Sequence, residues 1–272
     1  MKNITLHLAD EPRKEAMLGV AVSLALQFGS SLTGVVGVPG LTIPSHAAVR
    51  IPAEAIEQFQ SDQQAEAKRL TDSFRNACAR NEIASQVLSE EGSPLALLTR
   101  VSRSTDLVII GQTDPDRPSR PEFDILPQQL VLAAACPVCI VPYAGRFATV
   151  GRRIMVAWND SREASRAVRD AMPLLRRAEL VKILAVNPSR SWDIPCADIA
   201  AYLAHHGVKA EAAHAFSQGI DTADSLVSSL SDFGADFLVM GAWGHSRFTE
   251  LMLGGVTRGV LAQMTVPTLL SH

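Results

Sequence analysis

The residues best suited to chemistry lie in a glycine-containing segment near the end of the chain. The segment starts with Gly241-Ala242-Trp243-Gly244-His245-Ser246-Arg247 and ends with Gly254-Gly255-Val256-Thr257. Glycine lets a backbone approach a phosphate closely, and the free N–H groups at a helix N-terminus attract anions. A loop of this composition that opens a helix predicts a phosphate-binding site.

The spacing of these glycines differs from that of the two most common nucleotide-binding motifs. The segment has neither the G-x-x-x-x-G-K-S/T sequence of P-loop proteins nor the G-x-G-x-x-G sequence of dinucleotide-binding proteins. Its pattern is G-x2-G-x9-G, counted from Gly241 through Gly244 to Gly254. A P-loop NTPase and a dinucleotide-dependent dehydrogenase are therefore disfavoured.

The sequence offers little for catalysis or metal binding. It has no G-x-S-x-G or H-E-x-x-H motif, and no spacing brings a Ser, a His and an Asp together. Cys136-Pro137-Val138-Cys139 has the spacing of a redox or zinc motif, but no second cysteine pair or nearby histidine completes it. We interpret both cysteines as small residues of a buried strand and predict neither catalytic residues nor metal ligands.

Alternating strand and helix patterns must position the glycine segment. Apolar, strand-like runs occupy residues 154–158, 180–186, 237–240 and 267–270. Helical spacing of apolar residues follows Ser161, a plausible N-cap, and returns at residues 197–206, 221–233 and 256–264. Because strands that are apolar throughout alternate with helices, we predict a doubly wound, Rossmann-like α/β module with a parallel sheet covered on both faces.

The first half of the chain repeats this pattern. Thr105-Asp106-Leu107-Val108-Ile109-Ile110-Gly111 aligns with Ala235-Asp236-Phe237-Leu238-Val239-Met240-Gly241 at an offset of 130, and residues 4–10 align with 154–160 at an offset of 150. We therefore predict two modules in tandem, at residues 1–143 and 150–272. The difference between the offsets assigns about 20 extra residues to the first module, within residues 41–64.

The composition disfavours two classes of partner. With 25 Lys and Arg against 28 Asp and Glu, the net charge of −3 provides no basic field for nucleic acid or anionic lipid. No apolar run approaches the roughly 20 residues that span a bilayer, and the chain starts with a strand pattern instead of a signal peptide. We expect a cytoplasmic protein that binds neither nucleic acid nor a membrane.

The glycine spacing resembles the G-x2-G-x9-G-S/T signature of the universal stress protein family. The motif lies between the fourth strand and the fourth helix of its module, and two modules of family length cover the chain, which is therefore similar to a tandem-type universal stress protein. The resemblance implies that ATP or AMP, with or without magnesium, binds in the second module. It also implies a pseudo-twofold dimer within one chain, in which residues 138–141 pair with residues 268–270.

The resemblance also implies which residues contact the nucleotide. The family's acidic residue at the end of the first strand falls on Asn159, just after Ala157, and its base-contacting residue on the second strand falls on Val186. Asn159 keeps a hydrogen-bonding oxygen without the charge, and Gly255 replaces the Ser or Thr of the signature, while Thr257 offers a hydroxyl. The expected cradle for ribose and phosphates is Met240, Gly241, Gly244, Gly254, Gly255, Val256 and Thr257, flanked by Trp243, His245, Ser246 and Arg247.

The first module lacks this motif. Asp114 occupies the position of the second glycine, and the offset of 130 places Asp124 where Gly254 stands in the second module. Carboxylates at these positions disfavour phosphate because like charges repel. We therefore predict that the first module is a degenerate copy without a nucleoside triphosphate.

Three functions remain open at this point. The leading hypothesis is an adenine-nucleotide-binding stress-response or regulatory protein with its ligand in the second module. The alternatives are a ligand-free scaffold for protein interactions and a slow ATP hydrolase. The sequence names no protein partner, and it leaves open whether the internal pseudo-dimer assembles further into a homodimer.

Overall fold

Ten strands form one continuous sheet in the computed structural model, which describes residues 1–9, 14–38, 52–113, 125–188, 195–217, 219–243 and 255–272. Five strands belong to the first half of the chain: β1 Asn3–His7, β2 Ser31–Val38, β3 Ser85–Glu91, β4 Leu107–Gly111 and β5 Val138–Val141. Five belong to the second half: β6 Arg153–Ala157, β7 Leu180–Val186, β8 Ala210–Ala215, β9 Phe237–Gly241 and β10 Thr268–Ser271.

Helices connect most of these strands and cover both faces of the sheet. In the first half they are α1 Lys14–Phe28, α2 Ala53–Arg80, α3 Pro94–Val101 and α4 Leu126–Ala133, with a 3-10 turn at Ser102–Ser104. In the second half they are α5 Arg162–Asp170, α6 Met172–Leu175, α7 Ala197–His205, α8 Thr222–Phe233 and α9 Gly255–Gln263. Within the described parts of the chain, no helix is long and apolar enough to cross a membrane.

The strand order confirms two doubly wound modules in tandem. The order is β3-β2-β1-β4-β5-β10-β9-β6-β7-β8, so each half presents the same sequence of strands outward from the centre. All neighbours inside a half are parallel, whereas β5 and β10 are antiparallel, with Thr268 opposite Ile140 and Leu270 opposite Val138. This central pair is the predicted contact of the pseudo-twofold dimer.

The sequence offsets also agree with the strand positions. β4 and β9 are separated by 130 residues, and β1 and β6 by 150. The inner strands are largely apolar because both of their faces are buried: Ile4, Leu6 and Val156 belong to one core, and Val108, Ile110 and Met240 to the other. The module boundaries at residues 143 and 150 stay predictions.

Two elements of the second half differ from the expectation. Strand β8 was not predicted, because its sequence Ala-Glu-Ala-Ala-His-Ala has no apolar pattern, and it lies at the outer edge of the sheet beside β7 alone. The helix after Ser161 ends at Asp170, and a separate turn of helix begins at Met172. Pro173 is one of the first residues of α6 and has no N–H to continue the earlier helix.

Residues 53–64 of the predicted insertion in the first module lie in the long helix α2, which spans 28 residues. Its buried residues are confined to the second half, from Leu70 to Cys78, so its first half extends past the module core. Residues 41–51 of the predicted insertion lie outside the described residues.

Candidate functional site

The predicted site residues that the structure describes lie at the carboxyl ends of β6, β7 and β9 and at the start of α9. Strands β6 and β9 are neighbours, and the chain leaves them toward opposite faces of the sheet, which makes their ends the topological switch point of the module. The predicted residues outside the described parts of the chain are Gly244, His245, Ser246, Arg247 and Gly254.

A hydrogen-bonded turn follows β6 and starts helix α5. The Ser161 N–H donates to Asn159 Oδ1 at 3.2 Å, and Ser161 Oγ accepts from the Ala164 N–H at 3.1 Å, which confirms Ser161 as the N-cap. Asp160, between them, has a left-handed backbone with φ of 59°. The turn uses one lone pair of the amide oxygen of exposed Asn159, so this side chain can still offer a ligand its amide nitrogen as a donor and the second lone pair as an acceptor.

Glu163 is a buried carboxylate beside this turn that the sequence analysis did not select. Only 7% of its side chain is exposed, and the Arg162 guanidinium donates to Glu163 Oε1 at 2.8 Å. Burial by itself raises the pKa of Glu163, but hydrogen bonds from its own backbone N–H and from Arg162 hold the pKa below its usual value. An acidic residue in the first turn of a helix was the available signal.

The end of β7 directs backbone groups toward β6. The paired register of the two strands stops at Ala157 opposite Leu184, and the Asn187 N–H donates in the other direction, to Ala215 O at 2.8 Å. Successive residues of a strand turn their backbone groups to alternate neighbours, so the N–H and C=O of Val186 point to the β6 side beyond the last pair. This is where the resemblance placed the contact with the base.

Asn187 fastens the end of β7 to the loop after β8. Its φ is 50°, its Nδ2 donates to Ser217 Oγ at 2.6 Å, and its Oδ1 accepts from the Ser217 N–H at 2.9 Å. The two hydrogen bonds offset the cost of a left-handed residue with a side chain. They also restrict the backbone directly after Val186.

Gly241, at the end of β9, has a packing role that the sequence analysis did not foresee. A Cβ added at Gly241 would overlap Ala164 N, and it would lie 2.5 Å from Glu163 C and 2.9 Å from Ala164 Cα. The first turn of α5 therefore rests directly on the Gly241 backbone. The absence of a side chain at this position is explained by the contact between helix and strand, whether or not a phosphate also approaches.

The two ends of the glycine segment meet through Trp243 and Thr257. Trp243 has a left-handed backbone with φ of 55°, and its N–H donates to the buried Thr257 Oγ1 at 3.5 Å. Thr257 thus fixes the first turn of α9 beside the end of β9. For Gly255, at the start of α9, no atom of another described residue lies within 4 Å of the position that a Cβ would take.

Left-handed non-glycine residues mark this edge of the sheet. Asp160, Asn187 and Trp243 each lie just beyond β6, β7 and β9. In the described chain the remaining ones are Glu82 and Cys196, which lie next to helices. Such conformations are costly and concentrate at functional sites, so three of them at one edge favour this edge as a site.

Comparison with known proteins gives a family match for the second half of the chain. Residues 151–272 match the universal stress protein family. This part of the chain, which we call the universal stress protein domain, contains every strand and helix named so far in the candidate site. No curated protein sequence matches the chain.

Solved structures extend the likeness in fold to the first module. A universal stress protein from Archaeoglobus fulgidus DSM 4304 is 13% identical and superposes with a TM-score of 0.76, covering 99% of this chain and 97% of its own. A functionally unknown protein from Pseudomonas aeruginosa PAO1 is 14% identical, with a TM-score of 0.60 and coverage of 100% and 92%. At these identities the likeness concerns the fold of the whole chain.

The first module uses the corresponding positions differently from the universal stress protein domain. His7, which aligns with Ala157, is 2% exposed, and burial lowers its pKa to about 4. It borders a cavity of about 30 Å³ between β1, α1 and α2, with Met17, Leu70 and Phe74 also in its wall. Such a volume holds about one water molecule, so this cavity is too small for a nucleotide.

Of the two cysteines that the sequence placed in a buried strand, Cys139 is buried there, whereas Cys136 is half-buried and lies before the strand. Cys139 is fully buried in β5 opposite Leu269 of β10, and Cys136 precedes that strand. Burial raises the pKa of each thiol to about 12. At neutral pH both are protonated, and a thiol in that state is a poor nucleophile and a poor metal ligand.

Proposed function

We propose that the universal stress protein domain binds one adenine nucleotide, ATP or AMP, and that the whole chain is a tandem universal stress protein acting as a cytoplasmic stress-response or regulatory protein. The observation that carries the proposal is the convergence of Asp160, Asn187 and Trp243 at one edge of the sheet. The first module shows no such convergence in its described residues.

The base is assigned to the gap between β6 and β7. The Val186 N–H and C=O provide one donor and one acceptor on the β6 side, which suits the amine and ring nitrogen of adenine. The amide nitrogen of exposed Asn159 adds a second donor, while its oxygen accepts from the Ser161 N–H. The clamp between Asn187 and Ser217 keeps these backbone groups in place.

The phosphates are assigned to the start of α9. The first N–H groups of a helix have no partner inside the helix, and the helix dipole favours negative charge there. Space is open around Gly255, and Thr257 holds this end of the helix next to Trp243. The proposal assigns the remaining phosphate contacts to Gly244, His245, Ser246, Arg247 and Gly254.

The scaffold alternative also has structural support. Gly241 is accounted for by its contact with α5, and the Asn159 oxygen is occupied by its own turn. Both features of the motif can therefore serve the fold without a ligand. A slow ATP hydrolase is the third candidate, although the buried carboxylate nearest the edge, Glu163, is already paired with Arg162.

Isothermal titration with ATP, ADP and AMP, each with and without magnesium, separates the three functions. We expect binding near one nucleotide per chain. Absence of binding for all three nucleotides would contradict the proposal and favour the scaffold. Accumulation of ADP during incubation with ATP would assign hydrolysis to the chain, and an Asn159→Ala variant with reduced affinity would locate the site.

A further inference from the structure

A buried glutamine of the first module forms hydrogen bonds to a helix of the second module. Gln112 directly follows β4 and is 7% exposed. Its Nε2 donates to Leu261 O at 2.6 Å and to Ala262 O at 3.5 Å, both near the C-terminus of α9. Its Oε1 accepts from the N–H of Tyr143, just after β5. All the polar groups of this side chain are therefore engaged, and two of the contacts cross between modules.

These contacts satisfy groups that helix α9 cannot satisfy itself. The last four carbonyl groups of a helix lack intrahelical donors, and Leu261 and Ala262 belong to that set. The Gln112 backbone is in turn held by its N–H, which donates to Val141 O at 2.8 Å. The C-terminus of α9 is thus attached to the central strands of the first module.

Helix α9 also makes two other contacts that turn this attachment into a positional constraint. Its middle crosses α8 closely, since a Cβ at Gly259 would lie 2.6 Å from Ala223 Cβ. Its first turn carries Thr257, which accepts the hydrogen bond from Trp243. A helix of nine residues moves as one rigid unit. If its C-terminus shifts while the contact at Gly259 acts as a pivot, its first turn shifts as well.

The arrangement is not reciprocal between the modules. By the offset of 130, the counterpart of Gln112 is Ala242, which has no side-chain donor. Ala242 instead accepts a hydrogen bond from His272 Nδ1 of its own module at 3.0 Å. The first module therefore forms side-chain hydrogen bonds to the last helix of the second module. Ala242 cannot form the equivalent side-chain hydrogen bonds to α4.

From this asymmetry we infer that Gln112 is a positioning residue through which the first module sets the place of the α9 N-terminus in the universal stress protein domain. The inference rests on the proposed function only for its effect on nucleotide affinity. It assigns a role to a module that lacks the glycine motif, namely support of the site in its partner module.

The test compares Gln112→Met with Gln27→Met. Gln27, in α1, also donates from Nε2 across the modules, to Val150 O at 2.9 Å, but it does not touch α9. Both variants lose a glutamine hydrogen bond to a backbone carbonyl and keep the side-chain length. Each variant is made in the full chain with Trp158 and Trp192 replaced by Phe. Of the three tryptophans of the chain, Trp243 alone then remains.

Two measurements are made on each variant. The fluorescence emission of Trp243 reports the contact with the first turn of α9 without any nucleotide, and isothermal titration with ATP reports the affinity. We expect Gln112→Met to shift the emission and to weaken ATP binding by about fivefold or more, as for a modest coupling between sites. Gln27→Met should leave both unchanged.

The outcomes separate this inference from the proposed function. Unchanged Trp243 emission in Gln112→Met, or an equal shift in Gln27→Met, overturns the positioning role. Failure of the unmodified chain to bind any of ATP, ADP and AMP overturns the proposed function, and the emission comparison still decides the role of Gln112. Where Gln112→Met does not fold, Gln112→Asn, which keeps the amide but is shorter, is measured in the same way.

Discussion

The two modules share one strand order but differ at the carboxyl ends of their strands. In the universal stress protein domain, Asp160, Asn187 and Trp243 turn the chain sharply and leave backbone groups at the edge of the sheet. In the first module, His7 is buried in the core and Gln112 reaches across to α9. Among the described residues, this edge of the sheet thus carries left-handed turns in one copy and a buried side chain that contacts the other module in the other copy.

This difference shows how a duplicated module can change its role without changing its fold. The inner strands of both copies are buried and largely apolar, so they keep the sheet. The residues just after the strands need not continue that apolar pattern, and they differ between the copies. In the second copy they form a candidate ligand site, whereas in the first they contribute to stability and to the contact between copies.

The largest expected effect comes from filling the contact between β9 and α5. Gly241→Ala places a Cβ 2.5 Å from Glu163 C, so we expect the free energy of unfolding to fall by at least about 3 kcal/mol. Urea denaturation followed by circular dichroism measures this. Gly255→Ala is the matched control, with open space and an expected change within about 0.5 kcal/mol. Equal stability of the two variants would contradict the packing role of Gly241.

Acid should distinguish the modules through His7. Burial lowers its pKa to about 4 in the folded chain, whereas a histidine in water has a pKa of 6.5. The unfolded chain therefore binds one more proton than the folded chain between these pH values. The contribution of His7 to the free energy of unfolding is therefore fully present above pH 6.5. It falls by about 3 kcal/mol as the pH drops toward 4. His7→Gln should remove this part of the pH dependence in urea titrations from pH 7 to pH 4, and an unaltered slope would refute the assignment.

The glycine motif should be required for ATP binding in the second module. One glycine added in the first module should not create ATP binding there. Gly254→Val is expected to weaken ATP binding at least about tenfold, or about 1.4 kcal/mol, while the melting temperature changes little. Asp114→Gly should create no second site, because Asp124 and Ile125 remain at the positions of Gly254 and Gly255. Titration calorimetry and thermal melts measure both variants. A folded Gly254→Val variant with unchanged affinity would remove the nucleotide proposal.

The smallest effect is expected at the clamp after β7. Asn187→Gly keeps the left-handed backbone but loses the two hydrogen bonds to Ser217, at a cost of about 1 kcal/mol. Asn187→Ala should cost about 1 kcal/mol more, because alanine does not tolerate φ of 50°. Denaturant titration gives the ranking, and ATP affinity should fall in both because Val186 is adjacent. A Gly variant less stable than the Ala variant would show that backbone strain is not the decisive cost.

Local sequence patterns determined the architecture of this protein. The apolar runs located β6, β7, β9 and β10 to within one residue at most ends, and Ser161 marked the start of α5. The two offsets indicated the tandem repeat, and the resemblance to the universal stress protein family implied the paired last strands. These predictions succeed because burial on both faces imposes a continuous apolar pattern, and because an N-cap acts within a single turn. Strand β8 escaped notice because an edge strand of alanines carries no such pattern.

Only the tertiary structure decided what individual residues near the site do. Gly241 is required by the backbone of α5, and Gln112 holds the C-terminus of α9 in the other module. In both cases the partners are far apart in the sequence and have no side-chain signature, since they are backbone atoms. A glycine looks the same in the sequence whether it faces a phosphate or a helix, and a buried glutamine looks the same as an exposed one. The physical reason is that backbone atoms are identical at every position, so only the fold reveals which of them come close.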